Sequence, residues 1–215
     1  MKTSVWIFFL TLLSLFIQAQ MPAVPANYKQ LAVAEGDLDK DGRAEKAVVY
    51  DTGDSTEGGT TRIIFILKQR DENWQIWKQS TQAIMKSEDG GMMGDPFVGI
   101  EIKKGLLFVN HSGGSSWKWY EYDCYRYQQG DMMLIGNTSG FGKLCEYSGS
   151  SDFNLNTGKC IYVKETGRCE EGLSEKIIKK ESETFYQKGL KIRLQNRREK
   201  VIKLVSPKHH FEIFL

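Results

Sequence analysis

The amino-acid sequence predicts an all-β protein, a meandering antiparallel sheet curled into a sandwich or partial barrel. Three features carry that expectation. Short β-branched and aromatic runs recur along most of the chain. Polar or glycine-containing turns separate them, and only residues 174–183 have a composition that suits a short helix.

Taken in order, Ala47, Val48, Val49 and Tyr50 form the first β-branched run. Residues 63–67 form a second, closed by the polar turn 68–73, after which 74–77 alternates back as a third. Residues 98–102, the turn Lys103-Lys104-Gly105 and residues 106–109 carry a hairpin signature. A long aromatic strand spans 116–127 and turns at 128–131 into 132–135. Shorter strands are expected at 153–155, 160–163, 184–186 and 192–194, with residues 148–151 read as a flexible loop.

The N-terminus indicates a compartment. Lys2 is followed by an almost unbroken apolar stretch over 5–17, and Gln18-Ala19-Gln20 offers a small-residue cleavage site. This is the pattern of a secretory signal peptide over 1–20, leaving one β domain over 21–215 in the periplasm or outside the cell. No cysteine lies near the cleavage site, so no lipid anchor is expected. No later segment is apolar enough to span a membrane after cleavage. Residues 1–20 hold one lysine, so the net charge falls from +2 for the chain to +1. That balance predicts no strong pull toward nucleic acid or anionic lipid. Residues 174–203 carry ten Lys and Arg against four Glu, and their alternation with apolar residues suits the solvent face of a strand.

Cys124, Cys145, Cys160 and Cys169 are even in number, which in an oxidising compartment favours disulfides with three connectivities open. Cys160 and Cys169 flank Thr166-Gly167, a turn signal that would pair them with each other and Cys124 with Cys145. Free buried thiols are the competing reading.

The most informative segment is Asp37-Leu38-Asp39-Lys40-Asp41-Gly42-Arg43-Ala44-Glu45. Calcium takes six to eight oxygen ligands, and acids at loop positions 1, 3, 5 and 9 can supply them. Asp37, Asp39, Asp41 and Glu45 are the side-chain candidates, with the Arg43 carbonyl as a further ligand. Gly42 falls where the loop must turn sharply. An EF-hand is excluded because position 12 is Val48, inside a strand run rather than a bidentate Glu before a helix. With Gly36 in front and the strand behind, the loop resembles the FG-GAP or VCBS-type repeat of integrin α-chains. That resemblance covers about residues 34–52 and implies a Ca2+ site. No second loop of the kind occurs, so a multi-bladed propeller is not implied. Residues 94–101, 113–119, 125–127 and 154–159 are similar to bacterial secreted proteins with a single such loop, a likeness that implies no activity.

Candidate chemistry elsewhere is sparse. His111 stands near Asp95 and several serines, but no Gly-x-Ser-x-Gly elbow is present. A hydrolase using His111 and nearby acids is therefore the alternative, and a binding or structural module the principal expectation. Ser115, Trp117, Trp119, Tyr125 and Tyr127 mark the candidate ligand surface, since Trp and Tyr offer large contact area with a polar handle. The expected partner is a saccharide or an envelope protein.

Overall fold

The computed structural model describes residues 20–71, 73–169 and 175–215. The signal-peptide reading falls almost wholly outside them. Among the described residues no helix is long and apolar enough to cross a membrane.

The all-β expectation holds. Strands β1 (Lys29–Gly36), β2 (Glu45–Thr56), β3 (Gly59–Arg70) and β4 (Asn73–Ser80) form a four-stranded antiparallel sheet in sequence order. A seven-stranded antiparallel meander follows. Its strands are β5 (Phe97–Lys103), β6 (Leu106–Gly114), β7 (Lys118–Gln128), β8 (Asp131–Gly142), β9 (Tyr147–Asn154), β10 (Lys159–Cys169) and β11 (Glu175–Tyr186). A C-terminal hairpin pairs β12 (Lys203–Val205) with β13 (Glu212–Phe214). The helical pieces among the described residues are two 3-10 turns, Gly91–Met93 and Leu194–Asn196.

Local chemistry explains the tight hairpins. Lys104 and Gly105 both have positive φ (54° and 75°), as do Gln129 and Gly130 (55° and 83°). Two consecutive positive φ values make the primed turn whose twist matches that of the flanking strands. The run at 47–50 is continuously apolar because β2 is buried on both faces. Ala47 and Val49 join Ile64, Ile66, Leu107, Val109 and Phe153 in the main core. Val48 and Tyr50 join Ile63, Phe65 and Leu67 on the opposite face, with Val24, Tyr28 and Trp74 over them. The inner face of the large sheet is thus covered in part by the small sheet. The C-terminal segment packs into the same core through Leu194, Leu204, Ile213 and Leu215.

Several expectations are corrected. The short helix read over 174–183 is strand β11 from Glu175 onward, with Ser174 outside the described residues. Its Lys- and Glu-rich composition suits a helix, but a full ladder to β10 overrides weak propensity and leaves the charges on an exposed strand. Residues 148–151 belong to β9 rather than to a loop. The strand read over 192–194 is reduced to one bridge, Met133 with Arg193, before the chain coils into a 3-10 turn.

The disulfide is Cys145–Cys169, with Cα atoms 4.9 Å apart, and Cys124 and Cys160 are free. Cys160 and Cys169 cannot pair because both lie on β10. Nine residues of strand separate them by about 30 Å. The Thr166-Gly167 signal is a register shift within the β10–β11 ladder, not a turn. Burial raises the Cys124 thiol to about 11 and the Cys160 thiol to about 12, so both stay protonated.

Candidate functional site

The acidic loop joins β1 to β2, and its turns are built by its own carboxylates. Asp37 accepts the backbone N–H groups of Lys40 (2.6 Å) and Gly42 (3.0 Å). Asp39 accepts that of Asp41 (3.3 Å), and Asp41 that of Arg43 (2.9 Å). Gly42 sits at φ +86°, a left-handed conformation that L side chains rarely adopt. This winding turns Asp37 and Asp39 toward Glu45, the first residue of β2. One carboxylate oxygen from each of the three lies within 4.8 Å of the others. The triad could hold a metal ion. Asp41, read as a further ligand, is exposed and its carboxylate is not part of this triad.

Glu45 is the residue whose environment demands most. Its side chain is fully buried. Oε2 accepts the Leu38 N–H at 2.7 Å, while Oε1 has no hydrogen-bond partner. Burial first, and then the Asp39 charge, raise its pKa. A buried carboxylate oxygen without a donor is costly, and a cation in the loop would satisfy it. The donor set, three hard carboxylates, suits a hard divalent ion.

Lys68, on β3, was not singled out from the sequence. Its ammonium hydrogen-bonds Asp39 and, at 2.7 Å, Asp41, and stands 3.6 Å from Glu45 Oε1. Burial works against that charge, but the bonds to Asp39 and Asp41 outweigh it and raise the Lys68 pKa. The chain thereby supplies a cation of its own to the acids. Nothing local signals this, because Lys68 arrives through β2–β3 register, 23 residues after Glu45.

The candidate ligand surface divides. On β7 the odd-numbered residues Trp119, Glu121, Asp123 and Tyr125 pair with inner-face residues of β6 and β8. Tyr125 is fully buried and donates to Asp123 Oδ2 at 3.0 Å, so it is core and not surface. Tyr127 packs on Trp77 with ring centroids 4.4 Å apart. Trp117 and Trp119 are half-buried, and Ser115 is exposed. The Trp117 ring packs against Tyr147 at a tilt of 59°, with centroids 4.8 Å apart. The outer face carries the stacked pair Tyr120 and Tyr122, 5.0 Å apart. Gly113 does not leave backbone open to a ligand, because a Cβ there would lie 2.6 Å from the Trp119 ring, which already covers it.

No protein-family profile matches the chain, and no curated protein matches it. A solved structure described as a Xanthomonas Type IV Secretion System related protein aligns over 75% of this chain and 66% of that chain. The identity is 13% and the TM-score 0.29, too low to carry an argument.

His111 is fully buried, accepts the Met85 N–H on Nε2 at 3.2 Å, and leaves Nδ1 without a partner. Burial and then Arg198 lower its pKa to about 3, so the ring is neutral near pH 7. Asp95 is bound by Arg62 at 2.7 Å, and no hydrogen bond joins it to His111 among the described residues. Beside His111 lies a charged network that sequence reading missed. Arg197, nearly fully buried, reaches Asp123 Oδ2 at 2.5 Å and Glu121 Oε2 at 3.0 Å. Arg198 also binds Glu121, and Asn137 donates to Asp123 at 2.8 Å. Arg197 and Arg198 are 70 or more residues from these acids, so sequence proximity gave no signal.

Proposed function

We propose that this chain is an exported β domain stabilised by calcium at Asp37, Asp39 and Glu45, working as a binding module for a saccharide or an envelope protein. The observation that carries the metal reading is the orphaned, buried Glu45 Oε1 facing two further carboxylates. Calcium would neutralise that cluster and tie β1 to β2, a structural role that leaves the chemistry of a ligand to other faces. The Cys145–Cys169 disulfide supports an oxidising compartment outside the cytoplasm.

Extracellular calcium modules bind at about 10⁻⁴ to 10⁻³ M. Free calcium at about 100 times the dissociation constant adds about 2.7 kcal/mol. For a chain of this size that is a rise of about 5–10 °C in melting temperature. Melting curves of residues 21–215 in calcium and in chelator test it, with Glu45→Gln expected to abolish the difference. Equal midpoints for the wild type would rule the metal out.

A further inference from the structure

We propose that the cavity between the inner face of β7–β10 and the β12–β13 hairpin is a site for a short saccharide carrying a carboxylate. The inference rests on the binding-module reading and gives that module its pocket and ligand class. The cavity encloses about 520 Å³, inside the ~300–1,000 Å³ span of small-molecule sites.

Strand register builds its floor from two adjacent rows. Trp119, Phe141, Gly149 and Lys164 face one another across β7, β8, β9 and β10. The next row on the same face is Glu121, Ser139, Ser151 and Tyr162. The first row offers two rings and an ammonium, with the Tyr162 hydroxyl and the Phe141 ring lying over Gly149 between them. The second offers hydroxyls, with Ser139 and Ser151 bonded to each other at 2.9 Å. Phe211 and Phe214 of the hairpin complete the walls.

Charge and lining select the ligand. Glu121 is saturated by Arg197 and Arg198, and Glu212 is paired with Lys203 at 2.6 Å. Lys164 lies over the Tyr147 ring at 4.8 Å. Glu181, opposite Lys164 in register, feels its charge but hydrogen-bonds Lys179 at 2.9 Å. Among the described residues lining the cavity, Lys164 is thus the lysine or arginine left to meet an incoming anion by a charge-assisted bond. A fatty acid would want aliphatic walls, and here Met85 and Ile213 are the aliphatic lining. An added peptide strand would need a free sheet edge, and the floor offers none, since β7, β8, β9 and β10 are each paired on both sides. A pyranose fits what remains. Its C–H faces lie on the electron-rich faces of aromatic rings, and its hydroxyls meet Ser139, Ser151 and Tyr162.

The test is a glycan array of matched uronic-acid and neutral oligosaccharides, probed with residues 21–215 as wild type, Phe141→Ala, Lys164→Gln and, on the outer face, Tyr122→Ala. Melting curves of each variant certify folding; Phe141 and Tyr122 are about two-fifths exposed, so truncation is tolerable. We expect the wild type to retain uronic-acid glycans about tenfold better than neutral ones. Lys164→Gln should erase that preference, Phe141→Ala should lose retention, and Tyr122→Ala should change nothing. Glycan binding lost only in Tyr122→Ala would overturn the cavity while leaving the binding module standing. Retention of no glycan, or equal retention of both classes by the wild type, would overturn the proposal outright.

Discussion

Glu45 shows how much one buried oxygen can constrain a loop. Its Oε1 lacks a donor, and the nearest compensating charge is the Lys68 ammonium 3.6 Å away. A calcium ion and that ammonium would compete for the same acids. Lys68→Met should therefore tighten calcium binding by about tenfold or more in titration calorimetry, because a nearby unit charge counts for kilocalories even at moderate dielectric. In chelator the same variant should melt lower, since it leaves Glu45 buried without a cation. Unchanged affinity would show that Lys68 does not occupy the ion's place. His111 makes a separate demand. Its folded pKa is about 3, against 6.5 for an unperturbed histidine. Between pH 6 and 4 the unfolded chain holds the extra proton, so stability falls as pH falls, by about 1.4 kcal/mol per unit from this residue. Urea denaturation at several pH values should give His111→Gln a shallower acid slope than the wild type.

At the scale of elements, the Cys145–Cys169 bond ties the β8–β9 connection to the far end of β10. It closes a loop of 24 residues, a constraint worth about 3 kcal/mol through the unfolded chain. Alkylation of the denatured, unreduced protein should modify two cysteines, Cys124 and Cys160, and mass spectrometry counts them directly. Four modified thiols would contradict the pairing. Cysteine count and a turn signal left three connectivities open, because a Thr-Gly pair marks a bulge as readily as a turn. The strands with strict alternation and primed turns, such as β5–β6 and β7–β8, were legible because their signals are local. Strand β11 was not. Its residues are mostly exposed and charged, and β10 supplies the order.

Across the whole molecule, the Arg197–Asp123–Glu121 network fastens the C-terminal segment to the inner face of the large sheet. Asp123 and Arg197 are both essentially buried. Arg197→Met leaves Asp123 as an uncompensated buried charge and should cost about 3–5 kcal/mol. Arg197→Met combined with Asp123→Asn should recover part of that loss, as a double-mutant cycle in urea would show. Additive losses would mean the pair is not coupled.

The sequence by itself determined the all-β class, most of the strands and the acidic loop, for one physical reason. Alternation, primed turns and Asx turns are made between residues a few positions apart, so their chemistry is written contiguously. Three acids of the five candidate ligands do converge, because the turns that Asp37 and Asp39 make with nearby N–H groups wind the loop back toward Glu45. Tertiary structure alone decided which cysteines meet, that Lys68 faces the acids, that Tyr125 is core, and that two rows of β7–β10 line a cavity. Each depends on register between strands or on packing of a distant segment. Such pairings are set by the burial of a whole face at once, which no local stretch of residues encodes.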